Sequence, residues 1–228
     1  LTIPLPNGRV VIMHGGFAAT SSIYDPVNNV MIAGPSSTAV VGLGSMVIPN
    51  TNGTWLLIPG MATDIGTCTA LNTTTNFFDP YSMAFTATGA PALTNGVGAG
   101  GFAFQRSDGL WQIIKGGATV TTCAGLTSTH LYNPNTMRLG VGATLAAAAQ
   151  QGAHAIQRPN GSWLIFNGTG ATTTQIYLEK DGATAGGAAI GSFVAGPATL
   201  TAIGSGALSF QRDDGKFVLL TGGSGTTA

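Results

Sequence analysis

Charged side chains are scarce in this sequence: its 228 residues include 8 Lys and Arg together and 8 Asp and Glu together, and the formal net charge is zero. A chain without a basic or an acidic excess has no electrostatic basis for binding nucleic acid or an anionic membrane. Long apolar runs are also missing, since none approaches the roughly 20 residues of a membrane span. We therefore expect no nucleic-acid partner and no membrane span.

Glycine, in contrast, is abundant, with 35 residues, and it recurs at fixed positions. Five glycines follow Asn or Asp and stand between apolar runs: Gly8, Gly53, Gly109, Gly161 and Gly215. Asn-Gly or Asp-Gly in that setting is a strong hairpin signal, because glycine adopts the positive φ that the turn requires. A second glycine follows each turn glycine by seven residues, and a third precedes the last four by nine. The chain is therefore predicted to be a series of repeats.

The repeats occupy residues 1–43, 44–99, 100–151 and 152–205, with a partial repeat at 206–228. Each complete repeat has four apolar segments that predict strands, and the strands after the turns are Val10–Met13, Trp55–Ile58, Leu110–Ile114, Trp163–Phe166 and Phe217–Leu220. The third strand ends in an aromatic residue, at Tyr24, Phe78, Tyr132 and Tyr177, and the fourth begins near Met31, Phe85, Leu139 and Phe193. Four strands per period of ~50 residues predict an all-β fold, a β-propeller of four complete repeats and a half repeat in a single domain. The start at Leu1 predicts a processed chain or a piece of a longer one. We expect the propeller to be completed by further sequence or by another chain.

Two positions of the repeat are candidates for packing or binding. Two residues after the turn glycine, the repeats carry Val10, Trp55, Trp111, Trp163 and Phe217, which we interpret as a core layer between neighbouring sheets. Six residues after the turn glycine stand His14, Pro59, Lys115, Asn167 and Thr221. Because the chemistry varies there from repeat to repeat, we predict a binding site at the channel mouth that uses His14, Lys115, Asn167 and Thr221. The alternative is an unconstrained, solvated position.

Catalytic and metal-binding patterns are not found. His14, His130 and His154 occupy three different positions of the repeat, so a single metal site would have to span separate layers. His130 matches Ser22, Asn76 and Gln175 in a polar row of the third strand. No nucleophile motif is present, and the paired carboxylates Asp213 and Asp214 lie in a hairpin turn. We expect no catalytic residues, no metal and no cofactor.

The two cysteines suggest a location for the protein. Cys68 and Cys123 follow their turn glycines by fifteen and fourteen residues, so they fall in equivalent loops of adjacent repeats. This favours a disulfide over two free thiols and hence an oxidising compartment. Four Asn-x-Ser/Thr sequons, at Asn52, Asn72, Asn160 and Asn167, agree with an extracellular or cell-surface protein.

The repeat pattern resembles kelch-type repeats, most closely those of the galactose-oxidase-like propeller domain. The resemblance rests on Asn/Asp-Gly, an apolar strand, Gly-Gly at Gly15-Gly16, Gly116-Gly117 and Gly222-Gly223, then Tyr24-Asp25-Pro26 or Phe78-Asp79-Pro80, and Gly34-Pro35. It implies a propeller fold and, in the oxidases, a copper site with Tyr and His ligands. No residue of this sequence matches that copper site, and the tryptophan of the family's fourth strand is replaced here.

The sequence therefore predicts an extracellular or cell-surface propeller module with a structural or binding role, whose partner is a protein or a glycan. A homo-oligomer or filament through the partial repeat is a further expectation. The first alternative is a propeller fragment of a copper enzyme of the galactose-oxidase or glyoxal-oxidase type. The second is a kelch adaptor for intracellular protein interactions.

Overall fold

A computed structural model describes residues 1–62, 71–117, 124–179 and 191–223. These residues form eighteen strands and no helix, and thus no helix that is long and apolar enough to cross a membrane. The strands are β1 (Thr2–Pro4), β2 (Val10–Met13), β3 (Ser21–Asp25), β4 (Val30–Ala33), β5 (Met46–Pro49), β6 (Trp55–Ile58), β7 (Asn76–Asp79), β8 (Ala84–Thr86), β9 (Phe102–Gln105), β10 (Trp111–Ile114), β11 (Thr129–Asn133), β12 (Arg138–Val141), β13 (His154–Gln157), β14 (Trp163–Phe166), β15 (Thr174–Tyr177), β16 (Phe193–Ala195), β17 (Leu208–Gln211) and β18 (Phe217–Leu220). The prediction of an all-β chain is confirmed.

Consecutive strands pair into antiparallel meanders. Four sheets have four strands each, namely sheet 1 (β1–β4), sheet 2 (β5–β8), sheet 3 (β9–β12) and sheet 4 (β13–β16), while β17 and β18 form a two-stranded sheet 5. Each Asn-Gly or Asp-Gly turn connects the first two strands of its sheet, as predicted. The predicted strands after the turns match the observed ones, except that β10 begins at Trp111 rather than Leu110. Such sheets are consistent with the blades expected from the sequence.

Neighbouring sheets pack face to face, because strand side chains alternate between two faces and both faces are apolar. Three apolar clusters lie between sheets 1 and 2, sheets 2 and 3, and sheets 3 and 4, and a small fourth one gathers Met61 and Ala99. Trp55, Trp111 and Trp163 contribute to these three clusters in turn. This confirms the predicted layer of tryptophans between sheets.

The segment that links one sheet to the next, called the linker, passes close to the glycine that stands two residues before the first strand of the sheet it leaves. A Cβ atom built on Gly100 would lie 1.7 Å from the carbonyl oxygen of Gln150, which belongs to the linker between sheets 3 and 4. Gly44 and Gly152 make the same approach to Gly98 and Gly204. A side chain is therefore excluded there, which explains the third glycine of the repeat.

The polar row of the third strand also contacts the linkers. The Oδ1 atom of Asn76 accepts a hydrogen bond from the backbone N–H of Thr38 at 3.2 Å. The Oε1 atom of Gln175 accepts one from the N–H of Ala147 at 3.0 Å. Both amide side chains are buried. Asn76 and Gln175 therefore attach the linkers before sheets 2 and 4 to those sheets.

Candidate functional site

The predicted binding residues lie at the same strand end of different sheets, but their environments differ. His14 is exposed in sheet 1, and its ring nitrogens lie 3.0 Å from Thr20 Oγ1 and 2.7 Å from Ser22 Oγ. Thr221 of sheet 5 is half-buried, and its carbonyl accepts a hydrogen bond from the N–H of Gly204. These two side chains therefore lie where a ligand can reach them.

Lys115 and Asn167 are buried. The Lys115 Nζ donates a hydrogen bond to Ser128 Oγ at 3.2 Å, and no carboxylate among the described residues forms an ion pair with it. Burial lowers the pKa of Lys115, because desolvation disfavours the ammonium form. The side-chain amide of Asn167 donates a hydrogen bond to Thr173 Oγ1, and its Oδ1 atom accepts one from Gln175 Nε2. A shared role of the four residues in ligand binding stays a prediction.

The remaining histidines are buried more deeply than His14. His130 is 5% exposed, and its pKa is lowered by desolvation and by the nearby charge of Lys115. His154 is half-buried; its Nδ1 lies 3.0 Å from the carbonyl of Gly152, and its ring stacks on Phe166 with centroids 4.7 Å apart. Burial lowers its pKa as well. Within the part of the chain that the structure describes, no three His, Cys, Asp or Glu residues group into a metal site.

Cys68 and Cys123 lie outside the described residues. Their predicted disulfide therefore stays a prediction.

The aromatic residue near the end of the third strand in sheets 2, 3 and 4 makes a contact with the preceding sheet that the sequence pattern did not predict. The Tyr132 hydroxyl of sheet 3 donates a hydrogen bond to Asn50 Oδ1 of sheet 2. The ring of Tyr177, in sheet 4, lies under the guanidinium of Arg106, with Cζ 5.8 Å from the ring centroid. Phe78 of sheet 2 shares an apolar cluster with Leu5 of sheet 1. Burial raises the pKa of each of the two tyrosines to about 12.

These pairs have a common rule in the repeat. The partner always stands three residues before the turn glycine of the preceding unit, where the sequence reads Leu5, Asn50, Arg106, Arg158 and Arg212. Each partner is chemically suited to its ring. Apolar Leu5 shares a cluster with Phe78, the Asn50 amide accepts a hydrogen bond from the Tyr132 hydroxyl, and the Arg106 cation lies over the π face of Tyr177. Comparing, repeat by repeat, the residue three positions before the turn glycine with the third-strand aromatic residue of the next unit could have revealed the contact.

The first and last sheets each expose a face that the internal sheets bury. The leading face of sheet 1 carries Val10, Ile12, Tyr24 and Met31, which register pairing places on one side. The first three are half-buried and Met31 is 54% exposed. The trailing face of sheet 5 carries Leu208, Phe210 and Leu220, with exposed fractions of 48%, 49% and 50%.

The equivalent residues of the interface between sheets 3 and 4 are mostly buried. On the side of sheet 4, Ile165 and Tyr177 are fully buried and Phe193 is 8% exposed. On the side of sheet 3, Phe104 and Ile114 are buried as well. The leading and trailing faces therefore have the composition of two halves of an interface.

A chain of antiparallel four-stranded meanders packed face to face has the architecture from which propeller-like proteins are built. No protein-family model matches the sequence, and no curated protein matches it significantly. Among solved structures, the chain is similar to a fungal alcohol oxidase of the AA5 family in complex with copper, with a TM-score of 0.52 and 14% sequence identity. The similarity covers 95% of this chain and 56% of the oxidase chain, so the chain spans about half of that protein. At this identity the similarity shows the fold alone.

Proposed function

We propose that this chain is a kelch-like β-propeller module that acts by binding other proteins, including further copies of itself. The observation that supports the proposal is the pair of exposed apolar faces at the two ends of the sheet series. Exposed apolar patches of this kind mark interaction surfaces on soluble proteins. Each face repeats the pattern that neighbouring sheets bury against one another within the chain.

The gain from covering these faces is large enough for association. Full burial of the half-exposed Leu208, Phe210 and Leu220 contributes roughly 1 kcal/mol per side chain at the usual value for apolar surface. The same holds for Met31 on the leading face, which is 54% exposed. The faces carry few charged groups, so desolvation opposes association weakly.

We place this function outside the cell or on its surface, where the partner is a protein or a glycan. The support is the spacing of Cys68 and Cys123 and the four sequons. Alkylation of the native chain before reduction tests the location. Two modified cysteines would contradict the oxidising compartment.

The test of binding through the end faces is the mass of the chain in light scattering over a range of concentrations. We expect the mass to rise above the 22.8 kDa of one chain. Phe210→Asp places a charge on the trailing face and should return the mass to that of one chain. Leu200→Asp adds the same charge at a fully exposed residue away from both faces and should leave association unchanged. A wild-type mass of one chain at every concentration would contradict the proposal.

A second candidate function is that of the propeller part of a copper oxidase, and the similarity to the AA5 alcohol oxidase favours it. The described residues do not fit a copper centre, because Tyr132 and Tyr177 are committed to sheet interfaces and the three histidines lie apart. In such an enzyme the ligands would come from elsewhere in the protein. Copper analysis of the chain after incubation with Cu²⁺ and dialysis against a chelator tests this candidate. Copper retained by the chain would show that its own residues hold part of the site, whereas a chain that retains none would contradict a copper role for this part of the protein.

A further inference from the structure

We infer that Asn52 and Asn160 are the residues at which this protein carries N-linked glycans, and that Asn72 and Asn167 are left unmodified. All four stand in the Asn-x-Ser/Thr motif, the acceptor sequence of N-glycosylation. The inference goes beyond the proposed binding function, but it rests on the proposed location outside the cell, because this modification belongs to secreted and surface proteins.

Asn52 and Asn160 occupy the same exposed position of the repeat. Each stands one residue before a turn glycine, in the hairpin that joins the first two strands of its sheet. Both residues are exposed. Sheet 2, which carries Asn52, packs on sheet 1 and on sheet 3, so this exposure is a property of the hairpin and not of an uncovered face. A bulky, hydrophilic glycan at this position therefore extends into solvent.

The two hairpins hold the motif in the same conformation. Asn52 Oδ1 accepts hydrogen bonds from the backbone N–H of Thr54 at 3.1 Å and from its hydroxyl at 2.7 Å. Asn160 Oδ1 accepts the same two bonds from Ser162, at 3.2 and 2.7 Å. Such an Asx turn uses the amide oxygen and involves three consecutive residues, so it can form before the chain folds.

The nitrogen of each of these amides remains available. Among the described residues, Asn160 Nδ2 has no hydrogen-bond partner. Asn52 Nδ2 lies 3.6 Å from the sulfur of Met137, and a thioether is a weak acceptor. A bond from either nitrogen to a sugar therefore breaks no strong contact of the folded protein.

Asn72 and Asn167 use the same nitrogen to hold the fold together. Asn72 Nδ2 donates a hydrogen bond at 3.0 Å to the carbonyl of Val40, which lies in the linker before sheet 2. Asn167 is 3% exposed, and its Nδ2 donates to Thr173 Oγ1 at 2.9 Å. A glycan at Asn167 would have to occupy buried space, and one at Asn72 would displace the linker. A chain modified at either residue is therefore not expected to reach this fold.

The modification is a group transfer without oxidation or reduction. A bond forms between Asn Nδ2 and the anomeric carbon of an oligosaccharide, and the bond from that carbon to the pyrophosphate of a lipid-linked donor breaks. The nitrogen loses one proton, and the lipid pyrophosphate is the leaving group. The chain contributes the amide and the hydroxyl two residues later, which the acceptor motif requires.

Glycans at these two hairpins would leave the other end of the sheets uncovered. The second strand of a sheet runs from the turn to the position where His14 and Thr221 stand. Four strand residues span about 13 Å, so the hairpin and these side chains lie at opposite ends of the strand. Glycosylation would thus exclude partners from the hairpin end and leave the predicted binding residues accessible.

The occupancy of each motif in the folded, secreted chain tests the inference. The full 228-residue chain is fused to a secretion signal, expressed in a eukaryotic cell line and purified as a folded protein. A peptide N-glycosidase in heavy-oxygen water then converts each glycosylated Asn to a labelled Asp, which mass spectrometry locates. We expect the label at Asn52 and Asn160 and none at Asn72 and Asn167. Label at Asn72 or Asn167, or its absence at Asn52 or Asn160, would overturn the inference.

This result is independent of the proposed location, because the fused signal imposes the secretory route. Alkylation of the cysteines in the native chain tests the location by itself. Failure of the glycosylation sites and failure of the proposed location are therefore distinguishable.

Substitutions at the third residue of the motif separate the role of the hydroxyl from that of the hairpin. Thr54→Ala and Ser162→Ala should each abolish the glycan of their own hairpin and leave the other in place. Asn7 has the same position in sheet 1, and its Oδ1 accepts the N–H of Arg9 at 3.1 Å, but no hydroxyl follows it. Arg9→Thr should therefore add a glycan at Asn7, while Arg9→Ala, the matched control, should not. An unmodified Asn7 in Arg9→Thr would contradict the conclusion that this hairpin position accepts a glycan.

Discussion

The two end faces carry nearly the same residues, in the same register, as the interface between sheets 3 and 4. That interface is buried, and we call it sealed; the end faces are partly exposed to solvent, and we call them open. Tyr177 is fully buried, whereas Tyr24, at the same position of sheet 1, is half-buried. Phe104 is 2% exposed and Phe210 is 49% exposed. Burial in this chain is thus a property of the neighbouring sheet rather than of the strand itself. A residue type in the repeat has a structural effect only where the next unit covers it.

The largest difference between sealed and open regions is expected at the glycine two residues before the first strand of a sheet. Gly100 and Gly206 occupy equivalent positions with φ values of 77° and 74°. A Cβ atom on Gly100 would overlap the carbonyl of Gln150, while one on Gly206 would meet no atom within 4 Å. Gly100→Ala should therefore lower the free energy of unfolding by at least about 4 kcal/mol, in the range of severe single mutations. Gly206→Ala should cost about 1 kcal/mol, because only the positive φ is unfavourable.

Urea unfolding followed by tryptophan fluorescence measures both variants, and the residue type and φ are matched between them. Equal losses of about 1 kcal/mol at the two positions would mean that backbone strain, and not the approach of the linker, determines the cost. Equal losses of about 4 kcal/mol would indicate instead that a linker-like segment covers Gly206 in solution.

A smaller difference is expected for the aromatic residue of the third strand. Tyr177→Ala should lower the free energy of unfolding by about 3 kcal/mol, since it removes a fully buried ring and leaves a cavity beside Phe104 and Phe193. Tyr24→Ala in the dilute, monomeric chain should cost less than about 1 kcal/mol, because the ring has one apolar face uncovered. Denaturant unfolding at low protein concentration compares the two. A larger loss for Tyr24→Ala would show that the leading face is covered within the single chain.

The repeat and its hairpins could be predicted from the sequence because they depend on local chemistry. Asn-Gly and Asp-Gly turns determine the hairpin within a few residues, and the observed β2, β6, β14 and β18 have the predicted bounds. The order of four strands per unit follows from the apolar segments between turns. These features need no knowledge of which sheets are neighbours.

Features that depend on the neighbouring sheet could not be predicted in the same way. Lys115 stands at a position whose chemistry varies from repeat to repeat, but its side chain is buried, which a local pattern does not reveal. The contact of Tyr132 with Asn50 joins residues 82 positions apart, which no local pattern reveals. The contact is indicated by the matched chemistry of these two repeat positions in successive units, and not by either position alone.

Acid provides the mildest test of a sealed interface, since it changes protonation states and removes no atoms. The pKa of His130, in sheet 3 at the interface with sheet 2, is held below its ordinary 6.5 by burial and then by the charge of Lys115, and that of His154 is lowered by burial. The unfolded chain therefore takes up protons near pH 6.5 while the folded chain does not, so the free energy of unfolding should decrease as pH falls below 6.5. His130→Gln places at this position the amide that Gln175 provides in sheet 4, and it should reduce the loss between pH 7.5 and 5.5. Urea midpoints measured across this range test the expectation. A urea midpoint that is constant or rises toward pH 5.5 would show that His130 accepts its proton without opening the interface. The sealed and open regions would then differ in packing but not in electrostatics.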